Sequence, residues 1–385
     1  MILNTVLAAA TLLFAGIRVA FVGDPQVDNQ TELRYAQKSI YRELRERKDI
    51  DLVVILGDLV NDKVELLEPS RASLDSIGVK WVCTNGNHDK DVYRDARGKM
   101  YDARDCATFS RVIHAPDTTF VMGGVRFILM DDVRISGMAS YEGGLRDSQW
   151  KWLSGVVAEA NEPVIFCSHI PVWEFSEAAQ DTLQRVMAPV KVQYVCGHTH
   201  TVRRAKLGAS DVLDVGASCG TWWRGVKDAD GIPWAIMNCG APRGYFVADI
   251  TPSEGIKRLS FKAVRRPEDF QLSAHISADG TLRANVFGGA EGGTLQVRRG
   301  LRWLTLTQVA EMAPELALLK ERTRQLSREY RRDHKDEIIP VLSAPSPHVW
   351  SLPAGPASSA SGRRLRFRYR DPYMTFKVTV SPIFD

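Results

Sequence analysis

Short apolar runs and longer amphipathic stretches alternate over the first two-thirds of the chain. The runs at 18–22, 52–56, 79–83, 125–130, 163–167 and 192–196 have the length and composition of buried strands. Between the first two, QTELRYAQKSIYRELRERKD sets Leu33, Ala36, Ile40 and Leu44 at helical spacing, which predicts an amphipathic helix. RDSQWKWLSGVVAEA, at 146–160, repeats that pattern with Trp150, Leu153, Val156 and Val157 inward. Strands alternating with helices predict an α/β domain over residues 17–262, its helices packed over the sheet.

Beyond about residue 262 the period shortens. FQLSAHISADGTLRANVFG reads as two strands joined by an Asp279-Gly280 turn. TLQVRRG and RLRFRYRDPYMTFKVTVSPIF continue in β style, interrupted by a charged helical stretch at 309–336. Residues 263–385 are therefore expected to form a small β-sandwich-like domain with one helical insertion. SAPSPHVWSLPAGPASSASG is loop or linker. Arg364, Arg366, Arg368 and Arg370 alternate with Leu365, Phe367 and Tyr369, the period of a strand with one solvated face rather than of a polyanion site.

Composition adds little to this picture but bounds it. At 385 residues, 44% hydrophobic and 25% charged, the chain is an ordinary globular protein of two-domain length. A net charge of +4 is too modest to call for a nucleic-acid partner. The N-terminal MILNTVLAAATLLFAG has an apolar segment of signal-peptide length, small residues at Ala15 and Gly16, and no basic start. It is too short for a transmembrane span. It is taken as a signal peptide over 1–16, giving a periplasmic or secreted protein, with a cytoplasmic one as the alternative. The six cysteines make no zinc-type pair; Cys83, Cys167 and Cys196 read as core. Cys219 and Cys239, in glycine-rich loops, leave a disulfide open.

The ends of the apolar runs carry the chemistry. They lead into GDPQ (23–26), GDLVND (57–62), NGNHD (85–89), CSHIP (167–171) and GHTH (197–200). Five strands thus end in carboxylate, amide or imidazole, where open α/β sheets bind ligands. His88, His169, His198 and His200 are four of the chain's eight histidines. These donor types suit two divalent metals, with a carboxylate bridging and imidazoles and amide oxygens completing the shells. Two such ions, about 3.5–4 Å apart, clamp a phosphoryl group. His198 and His200 point to opposite sides of an extended segment and so serve one ion each. His114, His275, His334 and His348 have no ligand pattern around them and are read as structural or exposed, and Asp131 and Asp132 as turn residues.

GDLVND, GNHD, the His-x-Pro of SHIP, and GHTH, in this order, resemble the motif set of calcineurin-like metallophosphoesterases. The resemblance implies two mixed β-sheets flanked by helices and a two-metal site on the loops after the strands. Asp58 would bridge the metals; Asn87, His169 and His198 would complete one shell, and Asp24 and His200 would belong to the other. His88 would protonate the leaving group after attack by metal-bound hydroxide, with Asp89 orienting its ring. The family's first motif is Asp-x-His, whereas here it is Asp24-Pro25-Gln26. A Gln26 carbonyl is a neutral, hard ligand, which favours manganese, with magnesium, iron or zinc as alternatives. The same Asp-x-Gln variant occurs in enzymes resembling manganese-dependent ADP-ribose/CDP-alcohol diphosphatase. Asn61 stands where the second motif commonly has Asp, and Asp62 follows it.

GASCGTWWRG, GAPRGY and SPHVWSLPAG resemble bacterial calcineurin-like phosphoesterases with a dedicated C-terminal domain. The resemblance brings the first two stretches near the metals, which makes Trp222, Trp223, Arg224, Arg243 and Tyr245 candidate substrate contacts; Asn61, in GDLVND, is a further one. Arginine suits bidentate phosphate recognition. The function implied is hydrolysis of a phosphomonoester or phosphodiester, on a small substrate such as a phosphosugar, nucleotide or lipid head group. The alternatives are a nucleotide-diphosphate pyrophosphatase of the ADP-ribose/CDP-alcohol type, or a glycan- or lipid-binding protein with a weakened catalytic site. The sequence sets no oligomeric state.

Overall fold

The computed structural model describes residues 16–94, 100–102, 106–135, 140–342, 344–354 and 364–384. The segment expected as a signal peptide lies outside these residues apart from Gly16. No described helix is long and apolar enough to cross a membrane.

Two sheets form the centre of the molecule. The first has five strands in the order Gly255–Ala263, Gly244–Thr251, Ile17–Val22, Leu52–Leu56 and Lys80–Thr84. Its last three strands are parallel, while the first two pair antiparallel beside them. The second sheet has six, in the order Val202–Leu207, Ser210–Val215, Val192–Cys196, Val164–Cys167, Val125–Leu129 and Thr118–Met122. Its four inner strands are parallel and both edge strands antiparallel.

Strand alternation assigns the layers. Val19, Phe21, Val54 and Leu56 of the first sheet share one core with Phe127, Leu129, Ile165 and Val195 of the second. Their neighbours Ala20, Val22, Val53 and Ile55 point the other way, onto Leu33, Ala36, Ile40 and Leu44. Ile128, Phe166 and Tyr194 likewise back onto Leu153, Val157 and Leu183. Both faces of both sheets are therefore buried, which is why the strands read as continuous apolar runs.

The helical stretch 30–46 matches its predicted face with one departure. Residues Gln37–Tyr41 form a π-turn inside it. The extra residue shifts the helical phase, and Tyr41 becomes fully buried beside Ile40. Asn29 caps the start by accepting from the Thr31 and Glu32 amides at 2.9 and 3.0 Å.

The C-terminal strands form two further sheets. One runs Thr307–Val309, Val349–Leu352, Leu282–Val286, Leu272–Ile276, Ile383–Phe384; the other runs Arg302–Thr305, Thr294–Arg299, Leu365–Arg370, Thr375–Val380. The Asp279-Gly280 turn joins Leu272–Ile276 to Leu282–Val286, with Gly280 at φ +81°. Helix begins later than the expected residue 309: Thr307–Val309 pairs with Val349–Leu352, and Pro314 opens the helix Pro314–Gln325. In the arginine stripe Leu365, Phe367 and Tyr369 are buried while Arg366 and Arg370 are exposed, so it is a half-solvated strand.

The C-terminal sheets join the central pair through a shared apolar core and one buried ion pair. Phe246, Phe261 and Phe287 pack in series, with ring centroids 5.5 and 5.9 Å apart. Arg204, on an edge strand of the second sheet, donates to Asp371 at 2.5 and 3.1 Å. Asp371 is itself buried and accepts from Tyr369 Oη and from the Tyr373 and Met374 amides. Removing one partner of such a pair strands the other charge out of water. Asp371→Ala is expected to lower unfolding free energy by about 3–5 kcal/mol in urea titrations.

Candidate metal centre

The candidate ligands sit just past strand C-termini. Asp24 and Gln26 follow Ile17–Val22, Asp58 follows Leu52–Leu56, and Asn87 and His88 follow Lys80–Thr84. His169 follows Val164–Cys167, and His198 and His200 follow Val192–Cys196. Within each sheet these strands are parallel, so their ends lie along the same rim. The turns there are strained. Seven described non-glycine residues have positive φ, and six of them are Asp24, Gln26, Asp58, Asp62, His198 and His200. Each such residue costs on the order of 1–3 kcal/mol, held in place by the surrounding structure.

Glycine is required at two of these loops by close approach. A Cβ on Gly86 would lie 2.0 Å from Asp58 Oδ1, and one on Gly197 would lie 2.7 Å from Asp24 Oδ2. The glycines of GNHD and GHTH therefore make room for carboxylates arriving from neighbouring strands.

The geometry is that of a donor cluster. Asp58, His169 and His198 each offer one donor atom, and the three lie within 4.8 Å of one another. His169 Nε2 is 3.4 Å from Asp58 Oδ1, 3.0 Å from Asn87 Oδ1 and 3.1 Å from His198 Nδ1. His200 Nε2 lies 3.8 Å from Asp24 Oδ1, and Asp24 also accepts from the His198 amide. Gln26 turns its Nε2 toward Asp58 and Asn61, both at 3.5 Å, and its carbonyl toward Cys219 Sγ at 3.8 Å.

The rings are oriented from behind. His169 Nδ1 donates to the Leu56 carbonyl at 2.8 Å, and His200 Nδ1 to the Gly220 carbonyl at 2.7 Å. In the neutral ring each bond leaves Nε2 as the donor atom. In the metal-free protein burial lowers the His169 pKa, but Asp58 and Asp24 outweigh it and lift it to about 10, so a cation there would displace a proton. Asp132, read from sequence as a turn residue, instead accepts from the His169 and Ile170 amides at 2.9 Å each and anchors that loop. Asp131 is also no mere turn former, since it is buried against Lys90 at 2.7 Å. Asp214 accepts from Thr199 Oγ1 at 2.6 Å, pinning the residue between His198 and His200.

Electrostatics fits this set to cations. Burial pushes the Asp24 carboxyl well above its ordinary range, and the Asp58 carboxylate adds to that. Burial also opposes ionisation of Asp58, but the imidazoles of His169 and His88 outweigh it and hold Asp58 ionised. His198 is pushed down to about 3 by burial and by His169, which leaves it neutral. Among the described residues, Asp24 and Asp58 have only imidazoles as ion-pair partners. Buried carboxylates, neutral imidazole and amide oxygens with no lysine or arginine between them are a donor set for divalent metal.

Two sequence expectations about this site are corrected. Asp89 does not orient His88: its carboxylate is buried and accepts the Leu59, Val60 and Gly86 amides at 3.2, 3.0 and 2.8 Å. The group on His88 Nδ1 is Asp62 Oδ1, at 2.8 Å. Sequence reasoning stopped at Asn61, one residue short, and the positive φ of Asp62 turns its side chain toward His88. Three of the proposed substrate contacts are also structural. Trp223 is 4% exposed and donates to the Pro25 carbonyl at 2.8 Å. Arg243 is buried over the Trp223 ring, and Tyr245, with no exposure, donates to Glu43 at 2.9 Å. Trp222 and Arg224 remain partly accessible, and Trp222 tilts against the His200 ring at 5.9 Å. Tyr141, not singled out before, sets its ring edge-on to His198 at 5.6 Å.

Cys219 and Cys239 are free thiols buried in different surroundings, Cys239 Sγ accepting from the Val202 amide at 3.4 Å. Of the remaining histidines, His114 accepts from the Cys83 amide and His348 is buried on Asn285. His275 is buried beside Glu315, and His334 stacks on Tyr330.

Burial lowers the His88 pKa, but Asp58 and Asp62 together lift it from 6.5 to about 9. In the metal-free protein this raised value adds stability that is complete below 6.5 and is lost as pH rises through about 9. In Asp62→Asn the His88 titration, followed by NMR on metal-free protein, is expected to shift down toward 6.5, since one of the two raising carboxylates is gone.

Residues 17–202 match the sequence profile of the family described as Calcineurin-like phosphoesterase. Residues 213–373 match that described as C terminal of Calcineurin-like phosphoesterase. No curated protein matches the chain. Among solved structures, a Vps29 mutant from Entamoeba histolytica is 12% identical, with a TM-score of 0.30, covering 70% of this chain and 92% of its own. Phosphopantetheinyl hydrolase from Mycobacterium tuberculosis is 11% identical, with a TM-score of 0.35, covering 53% and 90%. A 5'-nucleotidase from Candida albicans is 12% identical, with a TM-score of 0.31, covering 64% and 51%. The two profile matches, in this order along the chain, give it a mixed α/β metallophosphoesterase domain followed by a β-rich C-terminal domain, and by them it belongs to the calcineurin-like phosphoesterase family.

Proposed function

We propose that the protein hydrolyses a phosphoric ester using two divalent metal ions, which Asp58 would share. Asn87, His169 and His198 would hold one, and Asp24, His200 and Gln26 the other. The observation that carries the reading is the cluster of Asp58, His169 and His198 donor atoms within 4.8 Å. When bound, the ions would neutralise phosphoryl charge and make water nucleophilic at neutral pH. Gln26 would hold an ion through its side-chain carbonyl, which now accepts from Cys219 Sγ, and such a neutral oxygen would favour manganese or magnesium over iron or zinc.

The chain's own groups handle the proton. In the metal-free protein His88 is protonated at neutral pH, and it is partly accessible and held by Asp62. It donates that proton to the departing oxygen, or stabilises the phosphoryl charge. Arg224 and Trp222 are the accessible candidates for contacting the rest of a small phosphorylated substrate. The division of the chain is placed near residue 262. Export through residues 1–16 is tested by N-terminal sequencing of the native protein.

Purified protein is expected to hydrolyse an aryl phosphate or phosphodiester with Mn²⁺, and Asp58→Asn to lose that activity while remaining folded by circular dichroism. His88→Gln is expected to lower kcat by about 10²–10⁴-fold. ADP-ribose and CDP-alcohols, assayed beside monoesters and diesters at equal concentration, separate ester from pyrophosphate cleavage. Protein that takes up no divalent metal after Mn²⁺ loading, by elemental analysis, sinks the reading.

A further inference from the structure

His200 is the candidate ligand whose surroundings reach farthest. Its ring is fixed by the carbonyls of Gly220 and Thr221, at 2.7 and 3.0 Å. The residues before that segment are tied to the Asp24 loop, the Ser218 and Cys219 amides donating to the Gly23 and Asp24 carbonyls at 2.7 and 3.1 Å, but among the described residues Gly220 and Thr221 lie in no strand. Instead the Thr221 amide and hydroxyl both donate to the Ile236 carbonyl, at 2.7 and 2.6 Å. The Ile236 side chain is buried in a small core with Ala313, Leu316, Ile339 and Val349. All four partners belong to the C-terminal β-rich unit.

A second route reaches the same ligand through its backbone. The Asn238 amide donates to the His200 carbonyl at 2.9 Å, and Asn238 Nδ2 to the Thr199 carbonyl at 3.0 Å. The next residue, Cys239, offers its carbonyl to Asn285 Nδ2 at 3.3 Å. Asn285 lies on Leu282–Val286, is fully buried, and has its own carbonyl oxygen held by His348 Nδ1 at 2.6 Å. Gly240, at φ +79°, brings this turn so close that a Cβ would lie 2.4 Å from Ala313 Cβ.

We infer that the C-terminal unit is a positioning device for His200: Ile236 and Asn285 clamp the 220–241 loop whose carbonyls set the ring. The inference rests on the reading of His200 as a metal ligand. Groups that orient a ligating imidazole from behind hold it in the tautomer and direction that binding needs, and losing one costs about 10- to 100-fold in metal affinity. Among the described residues Asn285 bonds Cys239, Glu315 and His348 and the Ile236 carbonyl bonds Thr221, none of them a candidate ligand, so both act through the loop.

The test is a Mn²⁺ titration of the full chain by calorimetry and EPR. Wild type is expected to bind two equivalents. Asn285→Asp, near-isosteric but without the amide donor, and Ile236→Ala are each expected to weaken one of the two sites by about 10- to 100-fold and spare the other. His200→Ala should weaken that same site, and Asn285→Asp added to it should do nothing further, because both act on one bond network. Val297→Ala, in the other sheet of the C-terminal unit, controls for lost stability and should leave both affinities unchanged. Ile236→Val should restore wild-type binding. Equal affinities in wild type, Asn285→Asp and Ile236→Ala overturn the inference, as does a matching loss in Val297→Ala or a further loss in the His200→Ala background. Wild type that binds two ions with His200→Ala unaffected instead overturns the ligand reading.

Discussion

The burial of two carboxylates at one rim governs the rest of this structure. Asp24 and Asp58 are within 1% of complete burial, and neither has a lysine or arginine partner among the described residues. Charges of one sign brought together out of water repel each other and lose hydration. Imidazoles relieve this only in part, and a divalent cation would relieve it further. Much of what is unusual nearby follows from holding these donors in place without a lysine or arginine among them. The positive φ values, the glycines that admit a second strand's side chain, and the backbone-pinned rings all serve that end.

Rigidity comes from the layers behind the rim. Each ligand loop is the end of a strand buried on both faces, so its start is fixed by packing rather than by the loop itself. The loops are then tied to one another. Asp89 gathers the amides of Leu59, Val60 and Gly86, and Asp132 those of His169 and Ile170. Carboxylates that accept several backbone amides act as local struts. Here they connect loops from different strands, so that moving one ligand disturbs the others.

The sequence made the strand-end candidate donors legible because each follows a run of buried residues within two to four positions. That spacing is a property of one strand and needs no knowledge of its neighbours. What failed was everything decided across loops. Asp89 looked like the partner of His88 because it is adjacent, yet its backbone turn sends it to Leu59 and Val60, while Asp62 arrives from another loop. Trp223, Arg243 and Tyr245 carry the residue types of a binding surface, but Trp223 and Tyr245 are drawn inward by Pro25 and Glu43, about 200 positions away in sequence, and Arg243 is buried over the Trp223 ring. The π-turn at Gln37–Tyr41 was equally invisible, since it arises from packing Tyr41 and not from any helix-breaking residue.

The order of strands in the first sheet has a consequence for how the chain comes to be folded. Ile17–Val22, which presents Asp24, pairs on one side with Leu52–Leu56 soon after both leave the ribosome. Its other side waits for Gly244–Thr251, Phe21 opposite Phe246. During that interval an apolar central strand has an open edge, the condition under which strands recruit the wrong partner. A chain stopped after the first profile match would carry every candidate ligand and still keep that edge exposed. Completing the sheet, and not only the site, thus requires the chain to continue past residue 202 to Gly244–Thr251.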